Sequence, residues 1–192
     1  PIDLNCYAVM MYRALFEMAQ ILKNGDGAVW QQKEQALSAM IERNFWDESL
    51  QAYTDITIED RESTGVLSPA SFMPLYIGIA PRERAAHMAA LASDPTRFYP
   101  LMPTVSYDDP GFDARDYWRG PTWLNTAYFA LKGLKEYGYC GLAEDMKERL
   151  LDMVAAEKRG IYEYYDARTG EGLGAHDFGW SAAFAIELIL GF

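Results

Sequence analysis

The sequence is poor in the residues that build several kinds of functional site. It has two cysteines, two histidines, and 17 lysines and arginines against 28 aspartates and glutamates. The distant cysteines, Cys6 and Cys140, exclude a disulfide scaffold and a zinc site made of four cysteines; they leave open one pair or two buried thiols. With a net charge of -11 and scattered basic residues, nucleic acid is not an expected partner, because phosphate contacts need clustered cations.

Long apolar runs are also missing. No stretch of about 18 uncharged apolar residues could span a bilayer, and no basic segment followed by an apolar one opens the chain. We therefore expect no membrane association and favour a cytoplasmic location. The chain starts at Pro1, inside what reads as continuous sequence, so we expect a fragment or a processed product.

What the sequence does contain is helical periodicity. Half of its 192 residues are hydrophobic, so we expect a single domain over residues 1–192 with a real core. Apolar spacing and Gly or Pro breaks predict seven helices. Their predicted bounds are Asp3–Lys23, Ala28–Arg43, Phe72–Ile79, Arg82–Ala92, Thr122–Tyr137, Leu142–Glu157 and Phe178–Leu190. Pro74 interrupts the third of these and either splits it or is its true first turn.

These helices alternate in character along the chain. The first is apolar around most of its circumference and is expected to be buried on several sides, whereas the second has one apolar stripe. The alternation continues to the last helix, which carries a single charge, Glu187. It predicts an all-α toroid or solenoid, in which inner helices are backed by outer ones. A short aromatic and acidic segment follows two of the helix pairs, at 44–53 and 161–166, and the second predicts a β-hairpin near residues 161–174.

The segment from Tyr117 to Trp123 reads Tyr-Trp-Arg-Gly-Pro-Thr-Trp and leads into an apolar helix. Aromatic rings with polar handles, together with a guanidinium, are suited to a sugar-binding wall, because rings stack on apolar sugar faces while donors meet hydroxyls. The alternative is a helix start whose tryptophans belong to the core. Four aspartates in the loop before it suggest calcium, but EF-hand spacing is absent, and neither a metal nor a cofactor is predicted. These aspartates are Asp108, Asp109, Asp113 and Asp116.

Glu163 lies in the second aromatic segment. Strand alternation places it on one face with Ile161 and Tyr165, opposite Tyr162 and Tyr164. Partial desolvation among aromatic rings makes a carboxylate a better base. The alternative is a structural glutamate at a strand edge.

The two histidines differ in position. His176, just ahead of the last helix, is placed to approach a cavity, or else is a hydrogen-bonded structural histidine. His87 lies on an outer helix and is expected at the surface. Neither has a serine or cysteine neighbour arranged as a nucleophilic set, so a serine-type hydrolase has no support.

Four motifs, taken together and in order, resemble the C-terminal half of the catalytic domain of family-63-type glycoside hydrolases. They are Asp3-Leu4-Asn5, the 117–123 segment, Tyr162-Glu163-Tyr164-Tyr165-Asp166 with Thr169-Gly170, and Phe178-Gly179-Trp180-Ser181. That group includes processing α-glucosidases and mannosylglycerate and glucosylglycerate hydrolases, with trehalases as more distant relatives. The resemblance implies an (α/α)6 toroid, of which this chain forms about half, and inverting hydrolysis of an α-glycosidic bond.

The same resemblance implies residue roles. Glu163 corresponds to the general base. Tyr117, Trp118, Gly120 and Trp123 correspond to the sugar subsite, with Arg119 and Trp180 near it, and His176 is added as a candidate from its position. The general acid of the family, an aspartate in a Gly/Asp/Asn-rich motif, has no counterpart here. We therefore expect the acid upstream of Pro1, an inactive isolated chain, and a ring completed by missing sequence or a second chain.

Two other functions stay open. A non-catalytic helical-repeat module that binds carbohydrate or protein would need only a concave acidic wall. Another sugar-active toroid, such as an epimerase or a glucuronyl hydrolase, would need a histidine pair or an aspartate pair. In the glycosidase case the partner is a small sugar or glycoside, and the unclosed edges of a half-ring should expose apolar inner-helix surface.

Overall fold

A computed structural model describes residues 1–192 and contains seven α-helices and two small hairpins. The helices are α1 (Ile2–Leu22), α2 (Gly27–Asn44), α3 (Met73–Tyr76), α4 (Arg82–Ser93), α5 (Leu124–Glu136), α6 (Cys140–Ala156) and α7 (Gly179–Leu190). The antiparallel hairpins pair β1 (Trp46–Asp47) with β2 (Ala52–Tyr53) and β3 (Tyr162–Tyr165) with β4 (Gly172–His176). All the predicted helices are present, and all but the third agree with their predicted bounds to within two residues.

The third helix differs from its prediction. The apolar segment Phe72–Ile79 was expected to be interrupted by Pro74, which would either split it or lie in its first turn. In the structure a 3-10 helix at Pro69–Phe72 is followed by the single turn of α3. The Ser71 hydroxyl accepts a hydrogen bond from the Ser68 amide at 3.3 Å and caps the start. Pro74 lies in the first turn of α3, where its missing N–H costs no helical hydrogen bond.

Four helices, α1, α3, α5 and α7, pack side by side in a row, and α2 and α6 pack behind two of them. Helix α1 contacts α3, α3 contacts α5, and α5 contacts α7, while α2 packs on α1 and α6 on α5. Gly133 allows the close approach of α5 to α3, because a Cβ at that position would lie 2.7 Å from the Tyr76 amide nitrogen. This row contains the helices predicted to be inner. Its closure into a toroid stays a prediction.

The first helix is less buried than its sequence suggested. Only Ile2, Cys6, Val9 and Ala19 are buried, since α2 and α3 cover one side. The large apolar residues left exposed on α1 are Leu4, Tyr7, Met10, Met11, Met18, Ile21 and Leu22. Helix α7, at the other end of the row, exposes Trp180, Ile186, Ile189 and Leu190. Both ends of the row therefore present apolar surface, as expected for an unclosed wall, and the prediction that α1 is buried on several sides is wrong for this chain.

The two cysteines are neither a pair nor two buried thiols. Cys6 is buried and free, and desolvation raises its pKa to about 12, whereas Cys140 is free and exposed at the start of α6. No helix combines the length and the apolar character that a membrane span requires.

Candidate functional site

The side chain of Thr104 holds the end of the loop that precedes α5 through two hydrogen bonds. Its hydroxyl donates to the Pro121 carbonyl at 3.0 Å and accepts from the Gly120 amide at 3.0 Å. Gly120 has φ 152, and a side chain there would overlap the carbonyl of Asp113. The backbone therefore requires glycine at this position. Gly120 is also buried, so it offers no surface to a ligand.

A two-hydrogen-bond bridge joins this loop to the second hairpin. The Thr122 amide donates to the Tyr165 carbonyl at 2.8 Å, and the Tyr165 amide donates to the Thr122 carbonyl at 2.9 Å. As a result, the hydroxyl of Tyr117 donates to Oε1 of Glu163 at 3.0 Å, although the two residues are 46 positions apart. The bridge brings together the two segments that sequence reasoning had identified separately.

A β-bulge shapes the hairpin around Glu163. Tyr162 pairs with His176 and Tyr164 with Leu173, so two residues of β4, Gly174 and Ala175, lie opposite Glu163 alone. Gly174 takes up the extra residue with φ 72, and the Ala175 amide donates to Glu163 Oε2 at 3.2 Å. Each carboxylate oxygen of Glu163 therefore has one donor.

Simple strand alternation does not describe this hairpin. Tyr162 and Tyr165 are both buried, although alternation placed them on opposite faces. The Tyr165 hydroxyl reaches back and accepts from the Tyr162 amide at 3.0 Å, which turns both rings toward the core. Glu163 itself is half-buried.

Trp123 is the centre of an aromatic cluster beside Glu163. It is 2% exposed and is stacked between Trp118, with centroids 4.0 Å apart, and Tyr164, with centroids 5.1 Å apart. Its indole Nε1 donates to the Tyr117 carbonyl at 2.8 Å, and Trp180 packs against its edge at 6.1 Å. Trp118 and Trp180 are each 47% exposed, so the rings available to a ligand belong to them and to Tyr117.

Arg119 and His176 make other contacts. Arg119 is exposed and forms an ion pair with Asp116, with Nε 2.9 Å from the carboxylate. His176 is exposed, bonds through Nδ1 to Asp177 at 2.9 Å, and lies beside the ring of Tyr162. The structure thus places His176 with Asp177 and Tyr162, outside the contacts that surround Glu163.

The other polar candidates have local partners. His87 is half-buried against the ring of Trp46 at 6.3 Å. Asp108 pairs with Arg97 at 3.0 Å, while the side chains of Asp109 and Asp113 accept backbone amides two residues ahead, at 2.7 and 3.0 Å. No group of three His, Cys, Asp or Glu side chains is arranged to hold a metal ion.

Sequence reasoning missed three groups that support Glu163. The Ser181 hydroxyl, in the first turn of α7, donates to the Glu163 carbonyl at 2.9 Å. Gly174 and the Ala175 amide supply the bulge and the second donor. Ser181 lies in the Phe178–Ser181 motif, but its partner is a backbone carbonyl, which no side-chain pattern reveals.

Glycoside hydrolases are among the curated proteins that this chain matches. It is 32% identical over 187 residues to mannosylglycerate hydrolase of Thermus thermophilus, a match that covers 96% of this chain and 41% of that protein. It is 26% identical over 203 residues to periplasmic trehalase of Escherichia coli, covering 98% of this chain and 35% of the trehalase. The chain belongs to the family of mannosylglycerate hydrolase MGH1-like glycoside hydrolase domains, whose profile matches residues 1–181.

Solved structures agree with this family. The crystal structure of the family 63 mannosylglycerate hydrolase from Thermus thermophilus in complex with glucose superposes with a TM-score of 0.85 at 28% identity. The superposition covers 100% of this chain and 47% of that one. The chain thus spans less than half the length of the relatives it matches.

Proposed function

We propose that this chain carries the base side of an inverting α-glycosidase site, with Glu163 as the general base. The observation that carries the proposal is the setting of its carboxylate. Tyr117 holds one oxygen at 3.0 Å and the Ala175 amide holds the other at 3.2 Å, beside a cluster of partly exposed rings. An ionised carboxylate has about four acceptor positions, so room is left for a water molecule.

The proposed chemistry requires a second carboxyl group. Glu163 takes a proton from water as the water oxygen attacks the anomeric carbon, and the glycosidic bond breaks on the opposite face. The leaving oxygen then takes a proton from a carboxylic acid about 6.5–9.5 Å from the base. Because this chain spans 41% of its curated relative, we propose that the acid belongs to the part of the enzyme outside it.

The exposed rings are proposed to bind the sugar. The faces of Trp118 and Trp180 would stack on the apolar faces of a hexose, with the Arg119 guanidinium as a donor nearby. Trp123 and Gly120 support this wall from within, since both are buried. Because the 32% identical relative is a mannosylglycerate hydrolase, mannosylglycerate is the first substrate to test.

The apolar surfaces at both ends of the helix row are proposed to be seams with the rest of the ring. Helices α1 and α7 are the two ends, and each exposes several large apolar side chains. Apolar surface of this kind is normally covered in a stable protein. Further helices of the complete enzyme would cover both seams and close the toroid.

The test uses the complete enzyme that contains this chain. We expect it to hydrolyse mannosylglycerate, or else p-nitrophenyl α-glucoside or trehalose. In time-resolved proton NMR the first two should release the β-anomer first, and trehalose should release α- and β-glucose in equal amounts, because its leaving glucose keeps the α configuration. The isolated 192-residue chain should bind sugar weakly and turn over none of these substrates. Initial release of the α-anomer from mannosylglycerate or p-nitrophenyl α-glucoside, or rapid turnover by the isolated chain, would refute this proposal. Sugar binding without hydrolysis by the complete protein would favour a non-catalytic module.

Gly174→Ala should impair turnover by displacing Glu163. A Cβ at position 174 would lie 2.6 Å from Glu163 Oε2 and 2.7 Å from Tyr164 Cε1, so the carboxylate has to move. A misplaced base costs about 10-fold or more in kcat. Gly78→Ala is the matched control, because Gly78 has the same φ of 72 with nothing within 4 Å of its added Cβ. Gly174→Ala should lose at least as much stability in urea unfolding as Gly78→Ala, which reports the backbone strain alone. Equal kcat values for the two variants would rule out the steric effect on Glu163.

A further inference from the structure

We propose that Tyr117 is a positioning residue that acts through Glu163 and not through the sugar. This inference rests on the proposed role of Glu163 as the general base. The sequence assigned both Tyr117 and its neighbour Trp118 to a sugar subsite. The inference gives the two residues different roles.

Tyr117 is fixed at three points. Its hydroxyl donates to Glu163 Oε1 at 3.0 Å, and its carbonyl accepts from the indole of Trp123 at 2.8 Å. Its ring packs edge-on against Trp118, Trp123 and Tyr164, with centroid distances of 5.5, 5.1 and 5.3 Å. A side chain held at the backbone, the ring and the hydroxyl has little freedom, so its donor is held ready for the carboxylate.

The backbone of Tyr117 supports the same role. Its φ is 28, in the left-handed region that residues other than glycine adopt at a cost. The neighbouring chain is tightly bonded, since the Arg119 carbonyl accepts from the Asp113 amide at 2.7 Å and the bridge at Thr122 follows. These bonds hold the unusual conformation that turns the tyrosine toward the hairpin.

The hydrogen bond orients the carboxylate. The last torsion of a glutamate is soft, so one donor alone leaves the plane of the carboxylate free to turn. Tyr117 on Oε1 and the Ala175 amide on Oε2 together fix that plane. The bond to Glu163 also raises the pKa of Tyr117, which keeps its proton and stays a donor. The remaining acceptor positions of Glu163 then point in a constant direction toward the attacking water.

Trp118 has a different set of contacts. Its ring stacks on Trp123 and meets Tyr117 edge-on. The two residues are exposed to a similar extent, 47% for Trp118 and 45% for Tyr117, so what separates them is the hydroxyl bond of Tyr117 to Glu163. The two carboxylate oxygens of Glu163 accept from Tyr117 and from the Ala175 amide, and Trp118 donates to neither. Two adjacent residues should therefore give different kinetic effects, with kcat changed at Tyr117 and KM at Trp118.

The first experiment compares single variants of the complete enzyme. Tyr117→Phe keeps the ring and should lower kcat by about 10- to 100-fold with KM within about 3-fold of the parent. Trp118→Ala should mainly raise KM. Tyr137→Phe is the control, because it removes a hydroxyl that donates to the Ala80 carbonyl at 2.6 Å, away from Glu163. Its kinetics should match the parent enzyme, and thermal unfolding should confirm that all variants fold.

A double-mutant cycle decides whether Tyr117 acts through Glu163. In the Glu163→Gln background, Tyr117→Phe should change the residual rate by less than about 3-fold, because the group it positions is gone. The full 10- to 100-fold effect in that background would show that Tyr117 acts on the sugar and would overturn the inference. An unchanged kcat for Tyr117→Phe alone, with Glu163→Gln inactive, would overturn the positioning role and leave the base assignment standing. Full turnover by Glu163→Gln would overturn both.

Discussion

Glu163→Gln in the complete enzyme is expected to lower kcat by about 10²- to 10⁴-fold, which is the contribution of a positioned general base. Glutamine has nearly the same shape, but it cannot take a proton from water. The Ala175 amide can still donate to the side-chain oxygen, and the Tyr117 hydroxyl can turn to accept from the new amide group. Thermal unfolding and the affinity for a sugar product, measured by calorimetry, should therefore change little.

Glu171→Gln is the matched control for this variant. Glu171 is a carboxylate of the same hairpin, but it is exposed and paired with Arg115 at 2.6 Å, away from the aromatic cluster. Its kcat should stay within about 2-fold of the parent, as for an ordinary surface substitution. If Glu163→Gln kept the turnover of Glu171→Gln, Glu163 would not be the base.

Trp123→Ala is expected to cost about 3–5 kcal/mol of stability, the usual loss when a large buried aromatic side chain is truncated. The ring is 2% exposed and stacked on both faces, so its removal leaves a cavity between Trp118 and Tyr164. It also removes the indole donor from the Tyr117 carbonyl. The loss can be measured by urea unfolding of the complete enzyme.

Trp180→Ala provides the comparison for this prediction. Trp180 belongs to the same cluster but is 47% exposed, so its truncation should cost only about 1 kcal/mol. It should weaken sugar binding more than it weakens the fold. Equal losses of stability from the two variants would mean that Trp123 is not the centre of the cluster.

The helices could be predicted from the sequence because their signals are local. The one-sided apolar stripe of α2 and the charged face of α6 repeat at the helical period, and each helix ends near a Gly, Pro or turn segment. For helix α3 the sequence indicated an interruption at Pro74 but left open whether Pro74 splits the segment or lies in its first turn. Two prolines five residues apart, Pro69 and Pro74, let the chain form a 3-10 helix and then one α turn in place of a single helix.

The geometry of the site could not be predicted from the sequence, because it depends on contacts between segments that are distant in the chain. The residue types at Tyr117 and Glu163 indicated sugar chemistry, but their hydrogen bond depends on the bridge between Thr122 and Tyr165, which is a non-local pairing. The position of His176 depends on the bulge at Gly174, which sets the register of β4 and leaves His176 opposite Tyr162. A one-residue change of register is not visible in a short aromatic strand.

Burial was equally hard to derive from residue type. Trp118 and Trp123 are both tryptophans of one seven-residue segment, yet one is half exposed and the other is enclosed. On α1, the apolar residues indicated a helix surrounded by partners, whereas the partners within this chain cover only one side. In both cases the composition indicates that a surface is apolar, and only the packing shows what covers it.

The bridge between Thr122 and Tyr165 also bears on the order in which the chain folds. Helices α5 and α6 lie between its two ends, so the bridge closes a long loop and carries the entropy cost of closing it. That cost falls once the two helices pair, because their packing already brings the loop ends close together. Local helix pairing is fast and non-local strand pairing is slow. The aromatic cluster and Glu163 are therefore expected to assemble late, after the helix pair that separates them in the chain has formed.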